Sequence, residues 1–178
     1  MSEYTIASTG IQTVWVRKDP AGNLVKTEQT QEERFAHVVP PMAEYEVLVR
    51  GFAEPFEMMF DNKPQRKTRL ELVIQNEGPG KGKTCTILVG WSIGPKSYLG
   101  KVYRATTGEN VTQGGEYDIT KILGGRFRAM LMPSANVDEN GKPRGTNVSW
   151  DTFDALNPVG AQPVGAAAPA DNAGLWAQ

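Results

Sequence analysis

Little in this chain can support metal or redox chemistry. Its 178 residues include one cysteine, Cys85, and one histidine, His37. A single cysteine excludes an intrachain disulfide framework, and one Cys with one His cannot complete a Cys/His zinc site. No run approaches the roughly 18 apolar residues of a membrane-spanning helix. The first residues lack a basic stretch leading into an apolar one, so no secretion signal is expected. Charge of one sign is missing as well. Nineteen Lys and Arg stand against 20 Asp and Glu, a formal net charge of -1. Such an average argues against a polyanionic partner. What is present is an apolar fraction of 39%, enough for a core, on a length that suits one domain with extended ends.

The average conceals a gradient. Residues 50–150 hold 15 Lys and Arg but only 10 Asp and Glu, whereas the flanks hold 4 and 10. Within the middle, positives gather at Lys63, Arg66, Lys67 and Arg69, at Lys81 and Lys83, at Lys96, Lys101 and Arg104, and at Arg126 and Arg128. A polyanion feels this local field, since exposed charges beyond roughly 10 Å are screened at moderate salt. A merely solvated basic surface is the alternative.

Residues 1–40 read as an arm or a peripheral hairpin, with a short strand at Ile11–Val16 and a turn at Asp19-Pro20-Ala21-Gly22-Asn23. From Tyr45 the pattern sharpens. Tyr45, Val47 and Val49 alternate with Glu46, Leu48 and Arg50, and the strand ends at Phe52. Residues 53–67 read as a loop with a basic end, and Met58 and Met59 as adaptable filler. Thr68–Gln75 is the second strand, with Leu70, Leu72 and Ile74 on one side; residues 76–83 form a turn. Thr84–Trp91 is the third, with Cys85, Ile87, Val89 and Trp91 on one face.

A helical period follows. Ser97 caps a helix that Gly108 ends, and Asp118 caps a turn over Ile119–Leu123 that Gly124-Gly125 terminates. Arg126–Met132 is the fourth strand, Asn136–Arg144 a hairpin loop built on Asn140-Gly141, and Thr146–Trp150 the fifth strand. Three strands, a helical insert and two strands predict an all-β, OB-like five-stranded Greek-key barrel over 41–156. A generic antiparallel sandwich is the competing architecture. The Ala/Gly/Pro-rich segment 157–178 reads as a disordered tail, with Leu175-Trp176 near its tip.

Several phrases together carry a resemblance. Pro40-Pro41 precedes Tyr45–Gly51, and Arg69-Leu70-Glu71-Leu72 follows a basic segment. Then come Gly94-Pro95-Lys96-Ser97-Tyr98-Leu99, Tyr117-Asp118-Ile119 with Leu123-Gly124, and the strand pair around Asn140-Gly141. Over about 40–153 the chain resembles a family of tailed-phage replication and recombination proteins that are OB-fold single-stranded-DNA-binding proteins. Lys96-Ser97-Tyr98-Leu99 matches the family's Lys-Ser-Asn-Leu-like phrase, with Tyr98 as a departure. The end, Asn172–Gln178, has no carboxylate side chain and so departs from the acidic tip by which many such proteins recruit partners. The resemblance implies an infected bacterial cytoplasm as the place of action. Homo-oligomer or replication and recombination partners would be contacted through residues 1–40 or the tail.

Single-strand binders combine cations for phosphates with flat apolar groups for bases. On an OB barrel the groove crosses strands two and three, rimmed by the first-to-second and fourth-to-fifth strand loops. The first of those loops would supply Phe56, Phe60, Lys63, Arg66 and Lys67, and the second Arg144. Arg69, Arg126 and Arg128 fall on the face opposite the core. Lys81 and Lys83 sit in a Gly-Pro-Gly-Lys-Gly-Lys turn that lacks the full spacing of a phosphate loop and precedes a strand. Trp91 is divided between core packing and base stacking. Tyr98 and Tyr103 are expected to close the barrel bottom, and Trp150 ends a strand.

No enzyme is expected. His37 has no identifiable orienting partner, Cys85 lies mid-strand on an apolar face, and Asp138 and Glu139 are adjacent loop carboxylates, not a converging set. No cofactor, metal or membrane partner is expected.

Overall fold

In a computed structural model, which describes residues 13–29 and 38–158, one antiparallel sheet carries two α-helices and a 3-10 turn. The strands are β1 (Thr13–Lys18), β2 (Leu24–Gln29), β3 (Ala43–Ala53), β4 (Phe56–Phe60), β5 (Lys63–Ile74), β6 (Thr84–Gly90), β7 (Arg126–Pro133) and β8 (Thr146–Val148). Helix α1 (Tyr98–Thr107) and the 3-10 turn Ile119–Ile122 lie between β6 and β7, and α2 (Trp150–Leu156) follows β8. His37 and the tail from residue 159, including Leu175-Trp176, lie outside the described residues.

β3 organises the sheet because both of its edges are used. One edge pairs with β5 through Val47–Phe52. The other pairs first with β7, Ala43 to Leu48, and then with β1, Gly51 to Ala53. Between those two partners Val49 exchanges hydrogen bonds of 2.8 Å with the Gly124 and Gly125 backbone. A register shift between Val49 and Gly51 bends the strand there, as an extra residue in a ladder does. Ladders then run β6–β5–β3–β7–β8. Among the described residues β6 and β8 exchange no ladder, so the sheet stays open there instead of closing as a hydrogen-bonded barrel.

The N-terminal hairpin is tied to this sheet. Asp19 Oδ1 accepts from the backbone N–H of Ala21 and Asn23 at 2.9 and 2.8 Å, and Gly22 takes the left-handed conformation that closes the turn. β1 then lays Trp15, Val16 and Arg17 against Ala53, Phe52 and Gly51.

Alternation along the strands sorts the core. Val47, Val49, Leu70, Leu72, Ile74, Cys85, Ile87, Val89, Phe127, Ala129 and Leu131 point inward and are buried. Helix α1 covers them with Leu99, Val102 and Tyr103, and α2 with Phe153. Burial pushes the Cys85 thiol up to about 12, so it is neutral and inert.

The Gly94–Leu99 phrase has a structural use. Ser97 Oγ accepts from the Gly94 and Gly100 N–H groups at 2.8 and 3.0 Å and donates to the Ser92 carbonyl at 2.7 Å. Ser97→Ala leaves those donors unmatched, a loss of about 1–2 kcal/mol for a helix cap. Thermal unfolding followed by circular dichroism should show a midpoint a few degrees lower; an unchanged midpoint would contradict this role.

Two segments differ from the sequence reading. Residues 53–67 are not a loop: 56–60 and 63–67 pair as a hairpin that prolongs β5 beyond the sheet. Trp150 does not end a strand but begins α2, where it stacks on Tyr98 with centroids 4.3 Å apart and planes 3° from parallel. Tyr98 is therefore a half-exposed helix contact, while Tyr103 is fully buried. Asp154 of α2 also binds Lys101 at 2.7 Å and Arg104 at 3.0 Å, so two positives counted in the middle of the chain join the helices to each other.

Candidate nucleic-acid interface

The hairpin of β4 and the first half of β5 turns at Asp61-Asn62, both with positive φ, 51° and 60°. Two consecutive left-handed residues are the requirement of the tight two-residue turn whose twist matches a β-ribbon, and Asp and Asn tolerate it. Such a turn fixes the register. Phe60 lies opposite Lys63, Met58 opposite Gln65 and Phe56 opposite Lys67. Strand alternation puts all six on one face, with Glu57, Met59, Pro64 and Arg66 on the other.

That first face joins apolar surface to positive charge. Phe60 is 60% exposed and Met58 39%, while Phe56 is half-buried. The Lys67 ammonium lies 5.6 Å from the Phe60 ring centroid, and the Arg69 guanidinium 4.6 Å from that of Phe56. These are cation–π distances. Neighbouring β6 adds exposed Leu88 opposite Arg69, and opposite Lys67 it has Gly90, where an added Cβ would meet nothing within 4 Å. The face is thus flat and open on that side. At the ribbon's base the buried Thr68 hydroxyl donates to the Ala53 carbonyl at 2.6 Å and anchors it to β3.

Below Arg69 on the same face lies a carboxylate that sequence reasoning missed. Glu71 is 2% exposed and is gripped by Arg17, Nε to Oε1 at 2.7 Å and Nη2 to Oε2 at 2.9 Å. Arg50 stands 3.6 Å away, and Thr27 accepts a further Arg17 hydrogen bond at 2.6 Å. Gly51 sits between the two partners in the ladders. An added Cβ there would lie 2.8 Å from Arg17 Cγ and 3.0 Å from the Val16 carbonyl, so only glycine lets Arg17 cross β3 to reach Glu71. The pair neutralises a negative charge beside the ribbon and leaves Arg50 half-exposed.

The ribbon face therefore brings together Phe56, Phe60, Lys63, Lys67 and Arg69. The other expected site residues lie elsewhere. Arg66 is on the opposite ribbon face, across from Glu57. Trp91 is half-buried at the mouth of the core, with its ring 6.2 Å from Phe52. It lines a hollow of about 240 Å³ with Ser92, Ile93, Leu99, Gly115, Tyr117 and Ile119. Arg126 lies level with Leu48 and Val73, about four residues below Arg69, and 3.8 Å from Glu46; Arg128 is exposed opposite Glu46.

Lys81 and Lys83 are in the turn after Ile74, at the end of β5 away from the ribbon, and Lys81 pairs with Glu77. Arg144 is exposed in the loop leaving the Pro133 end of β7, beside the Ala43 end of β3. Roughly 30 Å of strand separates that end from the ribbon at 3.3 Å per residue. The two loops expected to rim one groove thus leave opposite ends of β3.

Asp138 is a turn-builder. Its carboxylate accepts from the Asn140 and Lys142 N–H groups at 2.8 and 2.9 Å, with the Lys142 bond foremost in holding it below the usual carboxylate range. Among the described residues no three His, Cys, Asp or Glu side chains are placed to hold a metal ion, and no helix is long and apolar enough to cross a membrane. Comparisons with protein families, curated proteins and solved structures find no match for this chain.

Proposed function

We propose that this protein binds single-stranded DNA without sequence preference and protects it during phage DNA replication and recombination, in the cytoplasm of an infected bacterium. The observation that carries the reading is the ribbon face, where Phe56, Met58 and Phe60 are rowed against Lys63, Lys67 and Arg69. Aromatic rings offer stacking to any base, and the cations beside them reach the phosphates between successive bases. In the free protein Lys67 and Arg69 rest over the rings. A base that stacks there displaces them toward its own backbone. Lys81, Lys83, Arg126, Arg128 and Arg144 enter only for a strand long enough to follow β5 and β3 to their other ends.

The strand order supports the finer fold reading, an OB-type Greek-key barrel of β3, β5, β6, β7 and β8 with α1 between its third and fourth strands. On this reading the ribbon prolongs the connection between the first two barrel strands.

A second reading is a phage structural or adaptor protein that uses the same sheet for protein contacts. The exposure of Met58 and Phe60 on one ribbon face and of Met59 on the other favours it, since such apolar surface also suits a protein partner. Fluorescence anisotropy separates the two. A labelled oligo-dT of about 30 nucleotides should bind, and a duplex of equal length more weakly, because paired bases cannot stack on the rings. Equal affinity for both would contradict the stacking face. Charge reversal sharpens the test. Lys67→Glu should weaken oligo-dT binding more than Arg66→Glu, which alters the opposite face; equal losses would remove the distinction between the faces.

A further inference from the structure

We propose that the hollow at Trp91 receives one base of the single strand held on the ribbon, with Arg66 and Lys67 sharing the phosphate where the strand crosses from one face to the other. The inference rests on the single-strand reading and adds to it a second site, on the opposite face of the sheet. The register places that site. Trp91 donates its N–H to the Arg66 carbonyl at 2.9 Å, one residue beyond the Gly90–Lys67 pair, so Trp91 and Arg66 lie opposite each other and share a face. It is the core face, since the Trp91 ring packs beside Phe52. Successive residues Arg66 and Lys67 thus put a cation on each face of one strand. β6 leaves β5 at this level, and a single strand can round β5 there from the Phe56–Phe60 row to the hollow.

The hollow is built for a flat ring. Trp91 and Tyr117 supply aromatic walls, Leu99 is buried behind them, and Ser92 and Gly115, both exposed, mark the mouth. Tyr117 is fixed in place. Its Oη accepts from the Thr112 N–H at 2.6 Å, and its ring meets Tyr103 edge-on with centroids 5.3 Å apart. An added Cβ at Gly115 would lie 2.5 Å from Tyr117 Oη, so glycine is what admits the ring to this wall. Walls ordered in advance lower the cost of binding. At about 240 Å³ the hollow falls below the roughly 300–1,000 Å³ of sites that enclose a whole small molecule. It suits one ring whose remaining molecule stays outside, as a base on a strand does.

Charge selects the occupant. Arg66 is exposed, and among the described residues its guanidinium makes no hydrogen bond or ion pair, although Glu57 lies opposite it on β4. An aromatic side chain of a peptide would leave that cation unused, whereas a nucleotide brings an anion with its ring. The breaks in the described chain fall on other parts of the sheet. Thr13 and Gln29 pair on the β1–β2 hairpin, across β3 from β5. Val38 binds the Thr84 carbonyl, about 23 Å along β6 from Trp91 at 3.3 Å per residue, and Asn157 binds Arg128 on β7.

Tryptophan fluorescence of the full chain tests the site. Trp15 is fully buried and Trp150 is stacked on Tyr98, so in a Trp176→Phe background the change on binding reports Trp91. Oligo-dT of about 30 nucleotides should quench this emission. Adding Trp91→Phe should abolish the quench while anisotropy still shows binding; a quench that survives would overturn the proposal. Ser92→Glu puts a negative charge at the mouth without touching the core, which keeps the test independent of folding losses. It should weaken oligo-dT binding by about fivefold or more, the low end for one lost stack, and unchanged affinity would overturn the site. The tail is the competing occupant. In the DNA-free protein acrylamide should reach Trp91 equally in Trp176→Phe and Trp176→Ala; greater access in Trp176→Ala would mean that residue 176 fills the hollow and would overturn the proposal. Binding that responds to Phe56→Ala and Phe60→Ala but leaves Trp91 emission unmoved overturns the hollow alone. Absence of any oligo-dT binding overturns the hollow and the single-strand reading together.

Discussion

Alanine at both Phe56 and Phe60 is expected to weaken oligo-dT binding by about 2–6 kcal/mol, since each base–aromatic stack contributes about 1–3 kcal/mol. Neither ring belongs to the buried core, so the fold should survive the change. Circular dichroism melts establish that the folded fraction is unaltered, and anisotropy titration reads the affinity. Phe60→Trp keeps a larger stacking surface and should retain binding. A double variant that loses less than about threefold in affinity, well under one stack, would remove the ribbon from the site.

The second large effect concerns stability. Arg17→Met removes the main partner of a carboxylate that is 2% exposed, and breaking a buried ion pair from one side is destabilising by about 3–5 kcal/mol. Arg50, 3.6 Å from the same oxygen, can recover part of that. The destabilisation arises from Glu71 left behind, so the double variant Arg17→Met with Glu71→Leu should recover most of the loss. Urea unfolding of the single and double variants reads both. Equal loss in both variants would mean that the pair acts through packing and not through charge. Because Glu71 lies one residue pair below Arg69 on the ribbon's own face, the single variant should also reduce oligo-dT affinity by leaving a less fully compensated negative charge there.

The five strands that order the sheet were legible because each alternates cleanly: Leu70, Leu72 and Ile74 inward, Arg69, Glu71 and Val73 outward. The ribbon was not, for three reasons. Phe56-Glu57-Met58-Met59-Phe60 carries apolar side chains on both of its faces, with Met59 beside Glu57, and so shows no clean period of two. Asp61-Asn62 turns without a glycine, and Pro64 is a residue that argues against a strand unless its edge is free. The signal that could have found it was the two-residue spacing between Phe60 and Lys63 around a pair of left-handed formers. Helix α2 was hidden by its seven-residue length and by Trp150, which suits a strand equally well.

The candidate site was legible as a composition and not as a surface. Phe56, Phe60, Lys63, Lys67 and Arg69 were all identifiable. That Arg66 turns away from them follows from a register no local pattern fixed, and that Arg144 leaves the far end of β3 follows from the ladder with β7. The Arg17–Glu71 pair spans 54 residues of sequence, and nothing local in the sequence announces it.

A salt titration of oligo-dT affinity tests the central claim most directly. If Lys63, Lys67 and Arg69 each engage a phosphate, the logarithm of the association constant should fall with the logarithm of salt concentration with a slope of about -2, at about -0.7 per contact on a single strand. Lys63→Met with Lys67→Met should flatten that slope by about 1.4. No detectable binding at about 50 mM salt, or a slope unchanged in the double variant, would contradict the account.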